Sequence, residues 1–507
     1  MLNLKNKKIL IFQQRGWALN IGHFLAKKFQ AEGCSLAAIT QKKTTHKFIT
    51  EQTEVKYAEI LNVDDILEYP EKYLGEEKIT FTDICRELKL DSVWPLIYSD
   101  RWLVRSYGEK YYYSYRQHVS DEFIVAYITA HYKALRDLIK FFKPDIIIIA
   151  TFVYEGHILL SLLGDKYGIP TISITDSKVP GHSMFARNYL GRKGELIFRT
   201  KELHEDKADS ANRKKAQQFI LDFKKKFQAP DYMKQGVLKE SIFKKIRHEL
   251  RPLKLIYEWY AKPSARANCI KTIGPTIDCC PPKIILRDHF CQKKYFKFAK
   301  NFSYYPFEKV GKFVFLPLQF TPEASADLMC PLFNNQVEVA RQIAMSLPDD
   351  YTLVVKEHPN MIGLRSPSYL KTIARTANVK LIDYRISSEE VFKKADLLIA
   401  NYSTTIFEAA IYGKPAIVLG DTETFKLLPN VINHTDMQNM SAVIKRALAL
   451  DTSSSEYRRR LENYIAAVFD IGFDFKYMKA WERGGEDMEE LWRLYKKEIE
   501  RVLNLKN

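Results

Sequence analysis

The second half of the chain alternates short apolar runs with polar breaks. Residues 353–355 are apolar, and Lys356-Glu357-His358-Pro359 follow at once. Residues 397–400 form a second apolar run, ahead of Asn401-Tyr402-Ser403-Thr404-Thr405 and a helical segment through Glu408. Gly413-Lys414-Pro415 ends that helix, and residues 416–419 are a third run. Brief apolar runs bounded by turn residues predict buried parallel strands. The polar residues just past them predict loops at the carboxyl ends of the strands, where open α/β sheets bind ligands. Residues 313–316 begin this half. Residues 317–322 are its first loop and 335–346 its first helix, and 440–448, 458–469 and 488–504 read as further helices.

The first half repeats the theme. Residues 8–12 read as a strand, 20–29 as a helix closed by Gly33, and 35–40 as the next strand. Ser120-Asp121-Glu122 cap a long helix reaching Phe142, which Pro144 follows. Residues 145–150 are a buried parallel strand. A helix to Tyr167 and a strand over 171–174 complete a βαβ unit. Residues 51–120 are irregular by period, and Trp94, Trp102 and Tyr111 to Tyr113 there read as a small aromatic core, with stacking on sugars as the alternative. Between the halves, residues 201–300 rise in charge and lose apolar periodicity. Residues 211–226 read as an exposed basic helix. Residues 241–249 are amphipathic, with Ile242, Phe243, Ile246 and Leu250 on one face, a pattern that rests on the protein body or on anionic lipid.

Composition narrows the class. A chain of 507 residues with 46% hydrophobic and 13% aromatic content supports more than one packed domain. No stretch has the length of a bilayer span, and the start does not read as a signal peptide. Seven scattered cysteines show neither zinc spacing nor a disulfide framework, so a reducing cytoplasm is the expectation. The net charge of +17 fits nucleic acid, an anionic membrane or acidic substrates. No nucleic-acid module is recognisable, so nucleic acid is not an expected partner. The first loop has Gly16 but no GxGxxG, so no dinucleotide site is indicated.

The chemistry concentrates at strand ends. Ser403, Thr404 and Thr405 stand where a helix begins, and Thr405 with Glu408 fits a capping box. A helix start with hydroxyls and unpaired N–H groups suits an anion. His358, held extended by Pro359, has Lys356 and Arg365 near it in sequence. If the strands are sequential, its loop neighbours that of Ser403. In the first half, Glu155, His157 and Asp176 stand at strand ends as candidate bases for an acceptor hydroxyl. Arg15 and His23 are candidates to touch donor phosphate or acceptor.

Three motifs carry a resemblance. Residues 316–323 (with Gln319, Pro322 and Glu323), Lys356-Glu357-His358-Pro359, and Ser403-Thr404-Thr405 with Glu408 and Gly413-Lys414-Pro415 resemble the C-terminal domain of GT-B glycosyltransferases of capsular and surface polysaccharide synthesis, the group that includes Kdo transferases. Gln319 and Pro322 are separated by Phe320 and Thr321, where the family pattern has an adjacent Gln-Pro.

The resemblance implies an α/β, GT-B-like fold: two Rossmann-like domains facing a cleft, with a basic helical insertion and C-terminal helices crossing back. The expected bounds are 1–200, 201–305, 306–450 and 451–507. It implies a nucleotide-sugar donor, CMP-linked and acidic, with Kdo first, and a glycan or glycolipid acceptor at the cytoplasmic membrane face. His358 would serve the leaving phosphate. Gln319, Pro322, Glu323, Lys356, Glu357, Pro359, Arg365, Ser403, Thr404, Thr405 and Glu408 would form the donor site. No metal or other cofactor is expected. The alternatives are a CDP-polyol or glycerophosphate transferase, a UDP-sugar transferase or epimerase, and a non-catalytic glycan-binding or scaffold subunit.

Overall fold

The computed structural model describes residues 4–192, 194–227, 242–421, 423–485 and 487–504. Two six-stranded sheets form its frame. The first is ordered β3-β2-β1-β4-β5-β6, from β1 (Lys8–Gln14), β2 (Ser35–Gln41), β3 (Glu59–Asn62), β4 (Ile146–Ile149), β5 (Thr171–Asp176) and β6 (Ser183–Ala186). The second is ordered β12-β11-β10-β7-β8-β9, from β7 (Phe313–Pro317), β8 (Thr352–Lys356), β9 (Val379–Ile382), β10 (Leu397–Ala400), β11 (Ala416–Val418) and β12 (Val431–Asn433). All pairings are parallel except β5 with β6. Each sheet therefore has the doubly wound 3-2-1-4-5-6 order. Its chain direction reverses between the first and fourth strands, which opens a crevice at their carboxyl ends. The architecture is two Rossmann-like domains, GT-B-like. The four isoleucines of β4 are fully buried, because a central parallel strand is covered on both faces.

The strand order corrects one expectation. The loops of His358 and Ser403 are not neighbours, because β7 lies between β8 and β10. The loop after β7 is thereby flanked by both.

The helices distribute unevenly between the sheets. α1 (His23–Ala31) follows a turn at Arg15–Trp17 and a π-helical turn at Ala18–Gly22. Gly22 is tight there: a Cβ would sit 2.0 Å from Gln13 Oε1 and 2.5 Å from the Trp17 ring. α2 (Asp121–Phe142) is capped by Ser120, and α3 (Glu155–Lys166) follows β4.

α4 (Glu195–His204) and α5 (Arg213–Lys225) belong physically to the second domain. Their Leu196, Leu203, Ala216 and Phe223 share a core with Phe407 and Tyr464. Residues 201–305 are thus not one basic linker, because an inward apolar stripe lies under the exposed lysines of α5. α6 (Ile242–Ala261) and α7 (Pro282–Lys300) pack as a helical pair. Ser241 and the side chains of Ile242, Phe243 and Ile246 lie outside the described residues. α8 (Gln336–Met345), α9 (Pro367–Arg375), α10 (Thr404–Ile411) and α11 (Ser455–Ile471) serve the second domain. α12 (Tyr477–Arg483) and α13 (Met488–Asn504) pack on the first sheet. Tyr477, Trp492, Tyr495 and Ile499 bury there against Ile9, Ile11 and Phe29. The Tyr477 hydroxyl accepts from Trp17 Nε1 at 2.8 Å and donates to the Ala150 carbonyl at 3.0 Å.

Contacts between the domains hold the cleft. Arg105 pairs with Asp327, both side chains 2% exposed. Tyr115 donates to the Asn334 carbonyl at 2.7 Å, and Arg192 reaches Asp421 at 2.7 Å. Leu328 of the second domain enters the core of the first. No helix among the described residues is long and apolar enough to cross a membrane.

The cysteines give a second correction. Cys269 and Cys279 are disulfide-bonded, with Cα atoms 4.9 Å apart, so the expectation of a reducing cytoplasm loses its cysteine argument. A lone pair ten residues apart makes no recognisable framework in sequence. The closed loop lies on the first domain, where Ile270 and Ile273 join the core and Thr272 donates to the Leu67 carbonyl. Alkylation in denaturant without reductant should modify the five free cysteines, and all seven after reduction. Reduction should lower unfolding stability by about 3 kcal/mol, the entropy of reopening so short a loop, measured by urea titration.

Candidate functional site

The loops after β7, β8 and β10 meet where the second sheet reverses direction. β8 ends in Lys356 and continues into Glu357 and His358. Glu357 is 1% exposed, and Arg365 reaches it with Nη1 at 3.0 Å and 3.1 Å from its two oxygens. The Arg365 Nη2 donates to the Gln319 carbonyl at 2.5 Å and to Thr321 Oγ1 at 3.3 Å. Gln336 grips both the N–H and the carbonyl of Gln319. Glu357, Arg365 and Gln319 were expected to touch the donor. Instead they are spent on one another, and they fix the loops after β7 and β8 together. Pro322 is buried behind a cis peptide with Thr321, while Glu323 is exposed and accepts from Ser325.

His358 is half-buried on this platform, edge-on to Phe320. The Asn360 N–H donates to its Nδ1 at 3.2 Å. A neutral ring in that position carries its proton on Nε2, a hydrogen-bond donor. Burial, with the charges of Arg365 and Lys356, pushes its pKa down to about 4. The imidazole is therefore neutral at pH 7, and it donates a hydrogen bond rather than giving up an imidazolium proton.

Ser403, not Thr405, caps α10. The Thr405 N–H donates to Ser403 Oγ at 3.4 Å, and the Thr405 hydroxyl donates to the same oxygen at 2.9 Å. The expected capping box of Thr405 with Glu408 does not form. The helix begins at Thr404, so Glu408 falls in its second turn and faces inward. Burial raises the Glu408 carboxyl to about 8 and lowers Lys356 to about 8, each group easing the charge of the other. Lys356 Nζ also donates to Ser388 Oγ at 3.3 Å. Ser403, Thr404 and Thr405 remain half-buried at the start of the helix, and Pro359 is half-buried beside His358.

Across the cleft, the first domain contributes the ends of β4 and β5. A cavity of about 180 Å³ lies between the domains, lined by Thr151, Phe152, Lys178 and Asn188 on one side and Glu323 and Tyr402 on the other. Lys178 stands 4.4 Å over the Tyr402 ring and 3.3 Å from Asp176. The exposed Asp176 thus sits beside the loop of Ser403.

Two of the three candidate bases are enclosed. Glu155 is 0% exposed; it accepts from Tyr127 at 3.0 Å and from the Gly156 N–H at 2.5 Å, and pairs with His131 at 2.7 Å. His157 is packed edge-on against Phe12 and Tyr154, with burial lowering its pKa to about 3. The apolar bundle over β4 takes both inside, and only Asp176 of the three meets solvent. His23 is also a correction: it is buried between α1 and the helix carrying Phe48, paired with Glu54 at 2.7 Å. Arg15 is exposed but engaged with Asp278 at 2.7 Å. Lys178, Asn188 and Tyr402 were missed. Tyr402 lies inside a quoted motif, whereas the left-handed backbone that aims Lys178 (φ 70) has no signature in sequence.

A family model described as CDP-Glycerol:Poly(glycerophosphate) glycerophosphotransferase matches residues 329–426. No curated protein matches the chain. Among solved structures, Thermosulfurimonas dismutans KpsC, a beta Kdo 2,7 transferase, is 13% identical over 66% of this chain and 79% of its own, with TM-score 0.32. UDP-GlcNAc 2-epimerase from Methanocaldococcus jannaschii is 13% identical over 89% and 95%, with TM-score 0.25. The calicheamicin glycosyltransferase CalG4 is 12% identical over 96% and 98%, with TM-score 0.27.

Two outcomes are expected. Glu357→Gln leaves the Arg365 guanidinium buried and unpaired, and should cost about 3–5 kcal/mol in urea unfolding. The second concerns protonation. A histidine held near 4 against an ordinary 6.5 contributes stability above pH 6.5 that is lost as pH falls through 4. Imidazole nitrogen NMR should show His358 as the Nε2–H tautomer down to pH 5.

Proposed function

We propose that this protein is a transferase that takes a polyol phosphate, of the glycerol phosphate class, from a CDP-linked donor and joins it to a hydroxyl of a polymer acceptor. The supporting observation is the family match over residues 329–426, which contains both the His358 and the Ser403–Thr405 loops. A CMP-linked acidic sugar, the donor first expected, yields to this reading because the matched family is one of glycerophosphate transfer.

The chemistry fits the loops. The acceptor oxygen attacks the β-phosphorus, the bond from that phosphorus to the bridging oxygen breaks, and CMP departs with the electron pair. Negative charge grows on CMP, so fixed donors aimed at it lower the barrier. The start of α10, with the hydroxyls of Ser403 and Thr404, supplies such donors while Thr405 braces Ser403, and His358 Nε2–H adds another. Lys356, held beside Glu408, provides a nearby positive charge. In this reading Asp176, an exposed carboxylate at the end of β5, takes the acceptor proton. These groups let the reaction proceed without a metal.

Purified protein with CDP-glycerol and a glycerophosphate primer should release CMP and extend the primer in the presence of EDTA. His358→Ala should slow turnover by about 10²–10³-fold, the cost of one such donor. Consumption of a CMP-linked acidic sugar in place of CDP-glycerol would mean sugar transfer, and conversion of UDP-GlcNAc would mean epimerisation. Failure to bind any nucleotide would make the protein a scaffold.

A further inference from the structure

The helical pair α6–α7 presents an apolar surface that the other described residues leave uncovered. Leu250, Leu253, Tyr257 and Tyr260 are 55%, 63%, 68% and 71% exposed. Their spacing of three, four and three residues places them on one stripe of α6. Leu255 and Trp259, on the opposite arc, are partly buried, as is Ile256 at the edge of the stripe. One flank of the stripe is basic on balance: Arg247, Arg251 and Lys254 are exposed there, with Glu258 paired to Lys254 and Lys262. α7 repeats the mixture: Phe290 is 65% exposed on one face with the exposed Lys294 and Lys297, while Phe296, 50% exposed, lies on the side toward Gly363. Glu249 pairs with Lys293 across the two helices, at the edge of both exposed arcs.

Four large exposed side chains on a single helical stripe exceed the scattered apolar residues of ordinary surfaces. Aromatic residues interleaved with lysine and arginine match the interfacial region of a bilayer. There the apolar bodies enter the acyl boundary and the cations meet anionic headgroups. We infer that the α6–α7 face docks on an anionic lipid bilayer. The occupant is a lipid surface rather than a protein because the cations lie alongside the apolar stripe, as a charged plane requires.

The pair also stands next to the candidate site. Gly363, in the loop between His358 and Arg365, packs against Gln292 and Phe296 of α7. Arg287 donates to the carbonyls of Tyr107 and Gly108 of the first domain. A bilayer held by this face therefore lies close to the cleft loops, where a lipid-anchored acceptor would arrive. The docking itself does not rest on which group is transferred.

Flotation of the full chain with phosphatidylcholine vesicles, with and without phosphatidylglycerol, tests the inference. The protein should rise with the anionic vesicles and stay behind with the neutral ones, and added salt should weaken capture. Arg251→Gln, Lys294→Gln and Lys297→Gln together should lower vesicle affinity about a hundred-fold, near five-fold for each charge. Leu253→Ser with Tyr257→Ser should abolish capture. All these residues are exposed, so thermal unfolding should be unchanged. Equal capture of wild type and variants, equal capture by neutral vesicles, or no capture by either would overturn the inference. So would loss of a dimer in the serine variant, seen by sedimentation, because the face would then bind a second copy.

Discussion

The buried ion pair of Glu357 and Arg365 is the contact on which the candidate site depends. Two charged groups almost without solvent are stable only when each is fully paired and hydrogen-bonded. Here the guanidinium spans both oxygens of Glu357 and then reaches the Gln319 carbonyl, while Glu357 also accepts from the His358 N–H at 2.6 Å. One interaction thus fixes the loops after β7 and β8 and sets the backbone of His358, the residue proposed to face the substrate. His358 can point a hydrogen-bond donor outward because its own loop has no freedom left.

The same economy recurs at larger scale. Each sheet reverses its winding once, and the loops after β4 and β5 of the first sheet meet those after β7 and β10 of the second at the interdomain cavity. The second domain is completed by α4 and α5, which precede it in the chain, and the first by α12 and α13, which come last. The chain therefore crosses between domains more than once. The buried Arg105–Asp327 pair and the Tyr115 hydrogen bond hold the cleft walls together. A change of cleft width would have to break or carry these contacts.

Much of this was legible in the sequence. The isoleucines of β4 and the apolar runs of β7, β8, β10 and β11 announce parallel strands, and the polar residues behind them mark the cleft. The doubly wound class followed from that pattern. What the sequence could not separate was a ligand-facing polar residue from one spent on the protein. Glu357, Arg365 and Gln319 sit in a motif and satisfy one another, whereas Ser403 and Thr404 keep an open face. Glu155 and His157 sit past a strand end, but the aromatic packing of Phe12, Tyr127 and Tyr154 encloses them. Glu408 and Thr405 have capping-box spacing, yet the cap is Ser403 and the helix starts two residues earlier than that box requires. The lysines of α5 hid a buried stripe. Tertiary placement decided each case, and no local pattern carries it.

The central claim is that the loops of the second domain hold a cytidine nucleotide by its phosphates without a metal. Isothermal titration of CDP, CMP, UDP and GDP in EDTA, into wild type and into Ser403→Ala, tests it most directly. The account predicts selective binding of the cytidine nucleotides, with affinity clearly weakened when the Ser403 hydroxyl is removed. Binding that requires magnesium, shows no base preference, or is indifferent to Ser403 would contradict it.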